Sequence, residues 1–186
     1  MLATSIVEAH EALARFIADS SNLSRLDAVA GELAGAIRSG GKILAIGNGG
    51  SACDAMHFCE ELTGRFRDDR PPMPAIACTD PGHITCVAND YGYDEVFARW
   101  VRALGKPGDA LVALSTSGNS ANVVRAVQAG NDIGLITVTL LGKDGGQLAS
   151  KADHEWIVPG ATADRIQEIH MLILHTLIEG IELAVR

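Results

Sequence analysis

His57 and Glu61 stand four residues apart in the stretch GNGGSACDAMHFCEE, Gly47 to Glu61. In a helix this spacing sets both side chains on one face, about 6 Å apart along the axis. Such a pair can hold a metal ion, share a proton, or form no more than a surface contact, which is the commonest outcome for an isolated His-x-x-x-Glu. Position argues for chemistry, because the helix starts at a glycine turn. Gly47, Gly49 and Gly50 let the backbone turn tightly and approach a ligand, and Ser51 is placed to cap the helix. The helix amino end then offers N–H groups to an anion. Neither a Gly-Lys-Ser/Thr nor a GxGxxG pattern is present, so the common nucleotide loops are not indicated. Taken alone, the turn reads equally well as an ordinary glycine corner. Glu60 points about 100° away from Glu61, toward solvent or another subunit.

A second turn, STSGNS, gathers Ser115, Thr116, Ser117 and Ser120 around one glycine at the start of another helix. Serine-rich turns are often only caps, but hydroxyls and backbone N–H groups also make a neutral phosphate cradle. Two donor-rich turns at strand ends favour a small phosphorylated ligand. Near the carboxyl terminus, ADRIQEIHMLILH carries Asp164, Gln167, His170 and His175 along an otherwise apolar helix. Polar groups there are costly unless paired or used. The structural readings are a buried carbonyl for a histidine and a cross-helix bond for Gln167. Asp164 can cap the helix or receive a substrate hydroxyl. Gln167 and His175 are separated by about 12 Å along a straight helix. One small ion can take both only with extended side chains, or with helices of two subunits. In ANDYGYDE, Asn89 and Asp90 read as part of a loop with aromatic anchors.

Positioning these groups falls to an alternation of short apolar runs and helices. KILAIG, PAIAC, DALVALS, LITVTLLG and HEWIVP read as strands, with helical patterns between them. Runs apolar on both faces, linked by crossover helices, predict a parallel sheet. The expected fold is therefore a three-layer α/β sandwich with five parallel strands and helices on both faces. In such sheets ligands bind beyond the carboxyl ends of the strands, where both turns fall. Two helices over residues 1–40 precede the sheet, and one long helix over about 162–186 follows it. Both are candidates for oligomer contacts.

With 186 residues, 47% hydrophobic and 20% charged, the chain fits a single domain over 1–186. A net charge of -8 argues against nonspecific nucleic-acid binding and makes local donors necessary for any anionic ligand. No run approaches the ~20 apolar residues of a membrane span. Glu8, His10 and Glu11 interrupt any secretory h-region, so a soluble, cytoplasmic protein is expected. Cys53, Cys59, Cys78 and Cys86 form no metal or redox spacing and read as mostly buried thiols in a reducing compartment.

In order and without large insertions, GNGGSACDAMHFCEELTGR, ANDYGYDEVF, STSGNSANV, LLGKDGG and ADRIQEIHMLILH resemble the sugar isomerase (SIS) family. Within it they are most similar to the sedoheptulose 7-phosphate (phosphoheptose) isomerases. The resemblance implies a flavodoxin-like SIS fold and isomerisation of sedoheptulose 7-phosphate to D-glycero-D-manno-heptose 7-phosphate through an enediol. That reaction opens the supply of heptose precursors for lipopolysaccharide and related glycans. The resemblance also implies a homotetramer with interfacial active sites and one zinc ion per subunit. Matched position by position, Asn48, Gly49, Gly50, Ser51, Glu61, Asn89, Asp90, Ser115, Thr116, Ser117, Ser120, Asp164 and Gln167 would meet the substrate. His57, Glu61, Gln167 and His175 match the family's zinc ligands, and Glu61 and His175 its acid–base pair. Ala52 stands where some relatives carry histidine. Two other readings remain: a non-catalytic SIS-fold assembly module, such as the replication-initiator-associating relatives, or an isomerase of another sugar phosphate.

Overall fold

The five apolar runs form five strands: β1 (Ile43–Ile46), β2 (Ala75–Ala77), β3 (Ala110–Ser115), β4 (Ile136–Gly142) and β5 (His154–Val158). In the computed structural model, which describes residues 2–185, they pair in the order β2-β1-β3-β4-β5, all parallel. Met1 and Arg186, the ends of the expected domain, lie outside the described residues. Successive strand residues feed opposite cores, as the period of two requires. Ile43, Ala45, Ala110, Val112 and Leu114 pack on one side. Leu44, Ile46, Leu111 and Ala113 pack on the other.

On the first side lie α1 (Leu2–Ala18), α2 (Ser20–Arg38), α3 (Gly50–Thr63) and α7 (Ala163–Val185). On the second lie α4 (Pro81–Tyr91), α5 (Val96–Leu104) and α6 (Ala121–Ile133). Phe58 and Trp156 are fully buried in the first core, and side chains of this size each stabilise by roughly 1.5–3 kcal/mol. The Trp156 indole N–H donates to the Asn22 carbonyl at 3.0 Å, which ties α2 to β5. The sandwich expected from the sequence is the fold observed.

Three local expectations are corrected. Asn89 and Asp90 sit in the last turn of α4 rather than in a loop. Asp80 starts that helix by accepting the His83 N–H at 2.6 Å, and the packed positions Ile84, Val87 and Ala88 carry it through ANDY. Ser51 does not cap α3, because Gly49 occupies the cap position and Gly50 is already helical. Ser51 is buried in the first turn instead. Only Cys59 and Cys78 are buried, which pushes both thiols up to about 12; Cys53 and Cys86 are exposed.

His170 is fully buried against β4, where its Nε2–H donates to the Leu141 carbonyl at 2.9 Å while Nδ1 has no partner. Burial depresses its pKa from 6.5 to about 4, against the raising effect of the Leu141 bond. Between those values the unfolded chain binds a proton that the folded chain refuses. Stability should therefore fall as pH drops through that window, by up to about 3 kcal/mol, and change no further from this source below it. Urea unfolding at a series of pH values checks this. His170→Gln keeps a donor for Leu141 and should flatten the slope, whereas a parallel loss in both proteins would place the effect elsewhere.

Candidate active site

Strands β1 and β3 are neighbours from which the sheet order proceeds in opposite directions, so a crevice opens beyond their carboxyl ends. GNGGS leaves β1 and STSGNS leaves β3, which brings the two donor-rich turns together. Their junction is a reciprocal amide pair. Asn48 Nδ2 donates to Asn122 Oδ1 and Asn122 Nδ2 to Asn48 Oδ1, each at 2.9 Å. The Tyr93 hydroxyl also donates to Asn48 Oδ1, at 2.9 Å. Beside them a cleft of about 330 Å³ is lined by Asn48, Gly49, Met56, Cys78, Tyr93 and Phe97, among others.

The serine turn is built inward. Ser115 Oγ accepts the Gly118 N–H at 3.1 Å and lies 3.4 Å from Ser120 Oγ. Ser117 Oγ accepts the Asn119 N–H at 3.2 Å. Ser120 is the cap residue of α6, yet its side chain makes no cap bond. Its hydroxyl, 3.4 Å from Ser115 Oγ, and the amino end of α6 supply donors of the kind an anion takes.

Helices α3 and α7 run side by side with their amino ends together. At the head of the pair, the Gln167 amide nitrogen lies 3.4 Å from Ser51 Oγ. A Cβ on Gly50 would stand 2.6 Å from that nitrogen, so a larger residue there would push the Gln167 amide aside. Two turns further on, His57, Glu61 and His175 converge. One ligand atom from each lies within 4.8 Å of the others, a group able to hold a metal ion. His57 Nε2 is 3.2 Å from Glu61 Oε1, and the two imidazoles meet edge to face at 5.1 Å. Phe66 stacks on His175 at 5.5 Å. Burial, followed by His57, holds the His175 pKa below its ordinary value against the pull of Glu61. This favours a neutral ring with a free lone pair. Two imidazoles and a carboxylate match the protein donor set of some catalytic zinc sites.

The remaining residues singled out in the sequence stand apart. Asn89 and Asp90 are exposed and hydrogen-bond to each other at 2.7 Å rather than to either turn. Asp164 is exposed in the first turn of α7, its carboxyl held below the usual range chiefly by a hydrogen bond with Thr162. Glu60 is exposed, 3.7 Å from His57. Asn122, Tyr93, Phe66 and Arg70 were not singled out. The first two lie inside the motifs STSGNSANV and ANDYGYDEVF, where a polar residue at a helix start was a usable signal. Phe66 and Arg70 gave none, since the side chains they meet, His175 and Glu182, lie on α7.

Residues 6–142 match the SIS domain. A phosphoheptose isomerase from Fusobacterium nucleatum is 54% identical over 172 residues, covering 92% of this chain and 89% of its own. The chain belongs to the phosphoheptose isomerase family of SIS-domain proteins. Another family member, from Vibrio cholerae, is 50% identical over 183 residues and covers 98% of this chain and 96% of its own. The solved phosphoheptose isomerase of Neisseria gonorrhoeae shares this fold with a TM-score of 0.89 at 39% identity, over 98% of this chain and 97% of that one. The SIS match stops at Gly142, before β5 and α7. The likeness to phosphoheptose isomerases continues across α7, which carries Gln167 and His175.

Proposed function

We propose that this chain is an aldose–ketose isomerase that converts sedoheptulose 7-phosphate to D-glycero-D-manno-heptose 7-phosphate. The observation that carries the reading is the convergence of His57, Glu61 and His175 on the helix pair whose first member starts at the glycine turn, in a chain half identical to phosphoheptose isomerases. The STSGNS hydroxyls and the amino end of α6 bind the phosphate. Asn48, Gly49, Gly50, Ser51 and Gln167 meet the sugar where the turns join, and Asp164, Asn89 and Asp90 are assigned to its hydroxyls as the outer part of the site. Glu61 removes the proton from C1, and the enediol receives one at C2. His175 moves the matching proton from the C1 hydroxyl to the C2 oxygen. A carboxylate for carbon and a neutral imidazole for oxygen suit those two tasks. His57, Glu61 and His175, with Gln167 as a fourth donor, would hold one zinc ion, whose Lewis acidity polarises the carbonyl and the developing enediolate.

A homotetramer is part of the same proposal. Leu2, Ile6, Val7, Ile17, Leu23 and Leu172 are large apolar side chains left exposed on α1, α2 and α7, which fits helices that pack against other copies. Among the described residues no helix is long and apolar enough to cross a membrane. A cytoplasmic place at the head of lipopolysaccharide heptose synthesis completes the proposal.

Incubation with sedoheptulose 7-phosphate, with mass-resolved detection of the aldoheptose, tests the reading. Product is expected, and chelation should remove it while added zinc restores it. Product unaffected by chelation would keep the isomerase and discard the metal. No product from folded, zinc-loaded protein would transfer the assignment to another sugar phosphate or to a non-catalytic assembly module.

A further inference from the structure

Past the end of α3 the chain turns back along α7, and three of its side chains meet that helix in order. Phe66 stacks on His175, Arg67 pairs with Glu179 at 2.6 Å, and Arg70 pairs with Glu182 at 2.8 Å. His175, Glu179 and Glu182 follow one another at helical spacing and form a single stripe. The two ion pairs are not equivalent. Arg67 and Glu179 are both well exposed, and such pairs contribute little. The Arg70 and Glu182 side chains are 6% and 4% exposed.

Arg70 divides its guanidinium between α7 and the end of α3. Its Nε donates to Glu182 Oε1 at 2.8 Å. Nη2 donates to the Glu61 carbonyl at 2.7 Å and Nη1 to the Leu62 carbonyl at 2.8 Å. Longer bonds from Nη1 reach the Gly64 and Pro71 carbonyls at 3.2 and 3.3 Å. These acceptors belong to the last turn of a helix and the chain leaving it, where carbonyls lack helical partners and the dipole is negative. A planar, always-charged fork satisfies several of them at once, which an ammonium cannot do.

We infer that Arg70, anchored by Glu182, is a positioning residue that locks the last turn of α3 to α7 and so sets Glu61 against His175. The inference rests on the reading of His57, Glu61 and His175 as the metal and acid–base site. It differs from a purely stabilising role in what it predicts for turnover. Loss of the clamp moves Glu61 relative to His175, while the phosphate cradle, carried by β3 and α6, stays in place.

Two variants test it. Arg70→Met/Glu182→Met removes both charges together, which avoids an orphaned buried ion and commonly leaves stability unharmed. Arg70→Lys keeps the charge and the Glu182 partner but loses the fork. Cobalt(II) binding, followed by its visible absorption, reports the cluster independently of turnover. In folded protein, judged by thermal unfolding, both variants should lose about 10- to 100-fold in kcat and in cobalt affinity. KM for the sugar phosphate should stay within about threefold, as expected when binding of the ground state is untouched. Wild-type kcat and cobalt affinity in either folded variant would overturn the inference, whatever the change in melting temperature. If the double variant does not fold, Arg70→Lys alone decides. Wild-type protein whose cobalt spectrum is unaltered by His57→Ala would instead overturn the site reading itself.

Discussion

Glu61→Gln should lower turnover of sedoheptulose 7-phosphate by about 10²- to 10⁴-fold, the range a positioned general base supplies, while leaving the fold intact. The side chain is partly buried, with His57 Nε2 3.2 Å away as its hydrogen-bond partner. Glutamine has the same shape and can keep a bond to His57, so little packing is lost. What disappears is the anionic oxygen able to accept a carbon-bound proton and, in the proposed site, to bind the metal ion. The backbone at this position is held separately, by Arg70, which is why the substitution acts on chemistry rather than on structure. Steady-state kinetics with a circular-dichroism melt separates the two. Exchange of the C1 hydrogen with solvent adds a direct reading, since it requires only the first proton transfer. Normal turnover, or normal exchange, would remove Glu61 as the base.

Gly118→Ala should be among the most damaging single changes in the chain, costing at least about 3–4 kcal/mol. Gly118 has a φ of +63°, and a Cβ there would stand 1.8 Å from the Gly145 carbonyl oxygen and 2.4 Å from its carbon. Both atoms are backbone, so no rotamer change relieves the clash. The same residue donates its N–H to Ser115 Oγ and accepts the Leu148 N–H at 3.1 Å. Pushing the two loops apart therefore opens the serine turn as well. A urea midpoint measurement should show the loss. Whatever protein remains folded should bind the sugar phosphate more weakly, seen as a raised KM. A change within about 0.5 kcal/mol, the range of an ordinary surface substitution, would mean that the LLGKDGG loop does not close over the cradle.

The sheet was legible because its signal is local and repeated. Runs such as LITVTL and DALVAL are apolar on both faces, and only a parallel sheet covered twice buries both. Glycine and serine clusters at the ends of those runs marked the crevice, since turn chemistry is written in adjacent residues. The His57 and Glu61 pair was legible for the same reason, being one helical turn apart. Where the local signal was ambiguous, tertiary packing decided. ANDY was expected as loop because Asn and Asp favour turns, but the apolar positions Ile84 and Val87 hold it as helix. Ser51 looked like a cap, yet the chain enters the helix one residue earlier, at Gly50.

The sequence by itself determined the elements, their parallel sense, the two donor-rich turns and one half of the proposed metal group. The tertiary structure alone decided which half joins it. The spacing of Gln167 and His175 left open a stretched site or one shared between subunits. Packing of α7 beside α3 sets Gln167 near Ser51 and His175 against His57 within one chain. Arg70, in the chain leaving α3, and Glu182 on α7 are 112 residues apart and meet only because α3 and α7 cover the same face of the sheet. Periodicity and turn preference report the neighbours of a residue along the chain. Contacts between α3 and α7 depend instead on how two apolar stripes settle on a common sheet, and that is set by the packing of the whole core.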